Sequence, residues 1–173
     1  MVGGEGVTRV LLVGFMASGK TTIGELLADR LGWDFIDFDH EIEDRTGHTI
    51  PELFRIAGEP AFRALEAEVT EDVAELEHVV LSPGGGWVTQ PELLEYFGEE
   101  TLVVWLRISP EEVVRRAVHD LSKRPLLAGP DPIARARFLL EEREPLYQLA
   151  DAVVDVDGLS AEEVAERIAE MVG

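Results

Sequence analysis

The sequence contains no cysteine, which excludes a disulfide framework, a zinc–thiolate site and a thiol nucleophile. Lysine is nearly absent: Lys20 and Lys123 stand against thirteen arginines. Positive charge of any kind is scarce, with 15 Lys and Arg facing 35 Asp and Glu for a formal net charge of −20. A chain this acidic lacks the basic face that displaces counterions from nucleic-acid phosphates, and it would be repelled from anionic lipid. No apolar run approaches the ~20 residues that cross a bilayer. The stretch Met1 to Thr8 is Gly-rich and lacks the basic and then apolar pattern of a secretory leader. These absences lead us to expect a soluble, cytoplasmic protein with neither a nucleic-acid nor a membrane partner. What is present is an ordinary globular mix, 46% apolar and 7% aromatic over 173 residues, from which a single domain spanning 1–173 is expected to bury roughly 70% of its unfolded surface.

Short apolar runs alternate with helical periodicity from end to end. Arg9 to Val13 stops at Gly14, as a strand buried on both faces would, and further strands are predicted at Trp33 to Phe38, Val79 to Leu81, Thr101 to Leu106 and Ala152 to Val156. Helices are predicted at Thr22 to Leu31, Glu41 to Thr46, Pro51 to about Leu76, Pro110 to about His119, Asp131 to Ala150 and Ser160 to Val172. The last of these opens with Ser160 and carries Glu163 three residues on, a capping-box pattern. Short strands alternating with helices imply an α/β fold: a three-layer α/β/α domain on a five-stranded parallel sheet.

Gly14-Phe15-Met16-Ala17-Ser18-Gly19-Lys20-Thr21 matches the phosphate-loop pattern G-x-x-x-x-G-K-[ST] in its confirming context, after a buried strand and before a helix. Glycines let backbone N–H groups turn around phosphate oxygens, and the helix N-terminus adds partial positive charge. Lys20 supplies a full charge to the β- and γ-phosphates, and the Thr21 hydroxyl can ligate Mg²⁺. The residues expected around ATP are therefore Gly14, Ala17, Ser18, Gly19, Lys20, Thr21 and Thr22. The guanine-reading N-K-x-D of GTPases is absent, and a small chain with a late proline- and arginine-bearing loop suits a small-molecule kinase that closes a lid over the γ-phosphate.

Asp37 and Asp39 sit at the end of the second predicted strand, where parallel α/β sheets place ligands. On an extended segment they would point the same way, one towards a Mg²⁺ water shell and one towards a substrate hydroxyl; taken alone, a capping or surface role is an equal reading. His40 and Glu41 read as the start of a solvated helix. Four further segments fall in order behind them: Gly58-Glu59-Pro60-Ala61-Phe62-Arg63 through Glu66, Gly84-Gly85-Gly86, Arg124-Pro125-Leu126-Leu127 and Arg143-Glu144-Pro145-Leu146-Tyr147.

With the phosphate loop and D-x-D, this ordered set resembles shikimate kinase, within the P-loop, nucleoside-monophosphate-kinase-like class, through nearly the whole chain. The resemblance is strongest to actinobacterial members at Arg124 to Asp131. It implies ATP-dependent transfer of the γ-phosphoryl group to the 3-hydroxyl of shikimate, a step of chorismate and aromatic amino acid biosynthesis; a monomer is expected because the sequence shows no extra apolar stripe. By the same resemblance Asp39 would orient or deprotonate the 3-hydroxyl, and Arg63 and Arg143 would clamp the shikimate carboxylate. Gly84, Gly85 and Gly86 would offer backbone contacts, Phe54 and Phe62 would wall the pocket, and Asp37 would join Thr21 in the Mg²⁺ shell. Lys20 and Arg124 would neutralise the transferring group, with Arg124 also on the nucleotide. Substrate helices are placed at about 39–66 and a lid at about 119–132.

Pro60, Pro83 and Trp87 depart from the family pattern, and Trp87 is expected to make the rim of the pocket bulkier. By position the adenine should lie near Val156 to Leu159. A kinase for another hydroxy acid such as gluconate, or a nucleotide-binding module without turnover, are the competing readings; loss of Asp39, Arg63 or Arg143 would mark the latter, and none is lost.

Overall fold

The structure, a computed structural model, describes residues 6–117, 127 and 129–173. Lys123, Arg124 and most of the expected lid lie outside these residues. Five strands form one sheet in the order β2-β3-β1-β4-β5: β1 (Arg9–Gly14), β2 (Asp34–Asp37), β3 (Val79–Ser82), β4 (Thr101–Arg107) and β5 (Ala152–Asp155). Every pairing is parallel, as expected from the alternating pattern. Between their ends the central strands are apolar and buried because both faces are covered. Along β1, Val10 and Leu12 pack to one side with Ile23 and Leu27 of α1 (Lys20–Leu31) and with Val164 and Ile168 of α6 (Ala161–Val172). Leu11 and Val13 pack to the other with Phe38 and Ile42 of α2 (Phe38–Thr46) and with Phe62 and Val69 of α3 (Ile50–Val73). That alternation is the period-two geometry of a strand converted into two cores. Each fully buried aliphatic side chain there contributes about 1.5–3 kcal/mol.

The remaining helices are α4 (Pro110–Ala117) and α5 (Pro132–Tyr147). The Ser160 hydroxyl accepts from Glu163 N while the Glu163 carboxylate accepts from Ser160 N, so the expected capping box is formed. No described helix is long and apolar enough to cross a membrane.

Three local readings of the sequence are corrected. Residue 38 does not continue β2: Asp37 is the N-cap of α2, and Asp39 lies in that helix's first turn, so the two carboxylates do not share one face of a strand. The long helix after Pro51 is broken at Gly58, whose φ of 83° and ψ of 172° are not helical. Pro60 then falls in the first turn of the second half, where its missing N–H costs nothing. Trp87 is not on the rim. It is 1% exposed, begins a short 3-10 helix (Trp87–Thr89), packs edge-on against Phe38, and donates its indole N–H to Thr70 Oγ1 at 2.9 Å. A second 3-10 helix, Pro91–Tyr96, completes the link from β3 to β4.

Candidate active site

The strand order brings the C-terminal ends of β2, β3 and β1 side by side, where open parallel sheets bind ligands. A cleft of about 420 Å³ opens there, lined by Ala17, Gly19, Lys20, Thr21 and Thr22 of the loop after β1, by Asp37 and Asp39 beyond β2, and by Ser82 to Gly85 beyond β3.

The loop after β1 is shaped by close approach. A Cβ on Gly14 would stand 2.9 Å from the Leu106 carbonyl and 2.8 Å from Ser18 Oγ, so only glycine fits. Gly19 at φ 92° and Ala17 at φ 65° take the left-handed region, turning the backbone back before α1. That helix starts with no side-chain cap and no acid in its first turn, leaving its N–H groups and dipole to an anion. Lys20 Nζ donates to Gly14 O at 2.6 Å and Phe15 O at 3.2 Å across the mouth. From outside the motif, Arg116 Nη1 donates to Ala17 O at 2.9 Å. Glu112 accepts from Arg116 Nε at 2.9 Å, and hydrogen bonds from Arg115 and then Arg116 hold its carboxyl down at about 2. Nothing in the sequence separates Arg116 from the other charges of its helix.

Thr21 meets Asp37, which stands at the start of a helix. Asp37 Oδ2 accepts from the Thr21 hydroxyl at 2.9 Å, while Oδ1 accepts from Asp39 N at 3.0 Å and His40 N at 3.3 Å. Asp37 is thus both the cap and the partner of Thr21. Asp39 Oδ1 is buried with no hydrogen-bond partner, and a Cβ on Gly84 would stand 2.9 Å from it. Burial, and then the charge of Asp37, push the Asp39 carboxyl above its ordinary range, against the pull of Lys20 and Arg63. No cluster of three or more acidic or histidine side chains suited to a metal occurs among the described residues. The Thr21 hydroxyl beside the Asp37 carboxylate fits a hard cation that keeps most of its waters, which Mg²⁺ does, and does not build an all-protein cage.

The two candidate clamp arginines flank the triple glycine. Arg143, on α5, donates Nη1 to Gly85 O at 3.1 Å, its guanidinium 5.4 Å from the centre of the Phe15 ring. One turn on, Tyr147 is fully buried and stacks on Trp105 of β4, ring centres 5.3 Å apart; this anchors the helix end that carries Arg143. Arg63 presses against Gly86, where any Cβ would collide with its guanidinium. Its Nη1 donates to Glu66 Oε1 at 2.5 Å, and its Nε and Nη2 face Glu59 Oε1 at 3.4 and 3.5 Å. Glu66 is 0% exposed, and burial raises its carboxyl to about 7 against the opposing pull of Arg63. Phe62 is buried and Phe54, more exposed, lies against it at 4.8 Å between ring centres. Arg124 lies outside the described residues; of the others expected at the site, Ala17, Gly19 to Thr22, Asp37, Asp39, Gly84 and Gly85 line the cleft, Arg63 and Arg143 reach its glycine loop, and Phe54 is placed only by its contact with Phe62.

Residues 16–173 match the family model described as shikimate kinase. A shikimate kinase of Synechococcus sp. (strain RCC307) is 44% identical over 93% of this chain and 82% of its own length. That of Halorhodospira halophila is 46% identical over 94% of this chain and 92% of its own. Among solved structures, shikimate kinase from Acinetobacter baumannii in complex with shikimate superposes with a TM-score of 0.87 at 37% identity, covering 97% of this chain and 94% of that one.

Proposed function

The chain belongs to the shikimate kinase family, and from that premise we propose that its cleft passes the γ-phosphoryl group of ATP to the 3-hydroxyl of shikimate, giving shikimate 3-phosphate and ADP. One observation carries the acceptor side: a buried, unpartnered Asp39 oxygen stands in the same cleft as the phosphate loop. A buried acceptor without a donor costs about 1–3 kcal/mol, and a substrate hydroxyl directed at Oδ1 removes that cost.

In the step, the substrate oxygen forms a bond to the γ-phosphorus as the bond to the bridging oxygen breaks, and that electron pair leaves with ADP. The hydroxyl proton passes to Asp39, whose raised affinity for protons suits a late transfer. Lys20 releases the Gly14 and Phe15 carbonyls to hold phosphate oxygens together with the N–H groups of Gly14 to Thr22. Arg63 and Arg143 grip the substrate carboxylate in fork geometry, with Gly84 to Gly86 closing the floor and Phe54 and Phe62 walling the side. Thr21 and Asp37 would hold Mg²⁺, Asp37 through water; the ion supplies charge neutralisation on the phosphates. Arg124 is assigned to the transferring group from the lid.

The test is a coupled ADP-release assay with shikimate, with gluconate and with no acceptor. Turnover with shikimate alone supports the reading. Preference for gluconate would replace the substrate, and ADP release independent of any acceptor would leave only nucleotide hydrolysis.

A further inference from the structure

Glu66 is a buried carboxylate that the reaction does not consume, and its neighbours are unusual. Oε1 receives two donors: Arg63 Nη1 at 2.5 Å and, from 24 residues along the chain, Gln90 Nε2 at 3.1 Å. Oε2 is buried with no partner. Gln90 sits where two 3-10 helices meet, Trp87–Thr89 and Pro91–Tyr96, so its backbone is held from both sides: its N–H donates to Trp87 O at 3.0 Å, and its carbonyl accepts from Leu93 N at 3.0 Å. Trp87 in turn is pinned to Thr70, whose hydroxyl donates to Glu66 O at 2.7 Å. The segment that follows the triple glycine is thereby bolted to the helix that carries Arg63 and Glu66.

We propose that Gln90 is a positioning residue for substrate capture: its carboxamide N–H fixes Glu66 Oε1, and Glu66 fixes the Arg63 fork against Gly86 for the substrate carboxylate. The assignment rests on the proposed function, in which Arg63 receives that carboxylate. Its chemistry is a competition. Burial favours the neutral acid, whereas donors on the carboxylate favour the anion. The charged groups facing Glu66 are Arg63 and Glu59 from its own helix and Asp39 from α2. Only Arg63 among them favours the anion, so the neutral Gln90 donor matters to the balance. Without it Glu66 holds its proton to higher pH and accepts more weakly from Arg63, and the fork loses its fixed direction. Gln90 touches neither the nucleotide loop nor the reacting oxygen, so its effect is confined to shikimate capture.

The test is steady-state kinetics of the full chain between about pH 5.5 and 9, with Gln90→Met and Gln90→Lys beside the unchanged protein. Met keeps the length and loses the donor; Lys keeps a donor able to reach Oε1. Gln90→Met is expected to raise the KM for shikimate about 3- to 12-fold near neutral pH, the net worth of an ordinary hydrogen bond because Gln90 acts on Arg63 through Glu66, with kcat and the KM for ATP within about two-fold. The acid limb of kcat/KM for shikimate should move to higher pH; Gln90→Lys should restore the KM and, because its ammonium also favours the Glu66 anion, return the limb to its original pH or below it. An unchanged KM and pH profile in Gln90→Met, or a loss shared equally with ATP, overturns the assignment. If Gln90→Met does not fold, Gln90→Lys decides: a KM like that of the unchanged protein supports the role, and a raised KM in a folded protein overturns it. Absence of shikimate turnover in the unchanged protein would overturn the functional reading itself and the positioning role with it; turnover with indifferent Gln90 variants overturns the positioning role alone.

Discussion

Lys20 reaches two carbonyls of its own loop, and phosphate oxygens must take over those contacts. Lys20→Ala is therefore expected to abolish measurable ADP release while the protein stays folded, because its surroundings are a loop open to solvent and not a core. Arg63→Ala and Arg143→Ala should each weaken shikimate capture by roughly 2–4 kcal/mol, read as a rise in the KM for shikimate with the KM for ATP little changed. An effect on ATP alone would refute the clamp. Glu66 has a different signature. Its carboxyl titrates at about 7 in the folded protein against an ordinary 4.5, so the folded state binds the proton more tightly than the unfolded one. Its contribution to stability is then fully present below the ordinary value and is lost as pH rises through about 7, by about 3 kcal/mol at most. Glu66→Gln removes this titration, so its melting temperature relative to the unchanged protein should improve from pH 5 to pH 8. A constant difference would show that Glu66 ionises freely. At this scale the motif residues were legible because each carries its chemistry in a local pattern. Gln90 and Arg116 were not, since each acts through a contact to a residue 24 or 99 positions away, and no local pattern marks that.

Among the elements, the break at Gly58 has the clearest consequence. Its φ of 83° with ψ of 172° belongs to a region open essentially to glycine alone, costing other residues about 1–3 kcal/mol. The break sets the angle between the half-helix bearing Phe54 and the one bearing Phe62, Arg63 and Glu66. Gly58→Ala should lower the melting temperature and raise the KM for shikimate together, while ATP binding is preserved. At the far end of the chain, Ser160→Ala removes one half of a capping box remote from the cleft. A loss of about 1 kcal/mol, or roughly 2–4 °C in Tm for a domain this size, is expected with unchanged kinetics. The strands and main helices could be read from the sequence because burial on both faces leaves apolar runs and helical stripes. The start of α2 at Phe38 could not, because Phe38 is buried and apolar in either conformation; what decides it is the cap that the Asp37 side chain makes. The burial of Trp87 was hidden for a similar reason, as its partner Thr70 lies on a distant turn of α3.

At the level of the whole molecule, a net charge of −20 must be reconciled with two anionic substrates. The described part of the cleft carries both signs of charge. Among the described residues, Lys20, Arg63 and Arg143 are matched by Asp37, Asp39 and Glu66, so what distinguishes the described cleft is donors held at fixed directions within an acidic shell. The shell acts at long range and the donors at contact, and salt separates the two because the screening length is about 10 Å at 0.1 M. Raising KCl from about 10 to 150 mM should therefore increase kcat/KM for shikimate modestly, about two-fold, as repulsion from the shell is screened. A steep fall would mean that attraction at long range dominates. The parallel sheet supplies the framework for those donors by setting three loop ends side by side. The most direct test of the account is ³¹P NMR of the full chain incubated with ATP, Mg²⁺ and shikimate. The account predicts that the γ-phosphate signal is replaced by one phosphomonoester at the 3-position, equimolar with ADP; inorganic phosphate appearing in its place would contradict it.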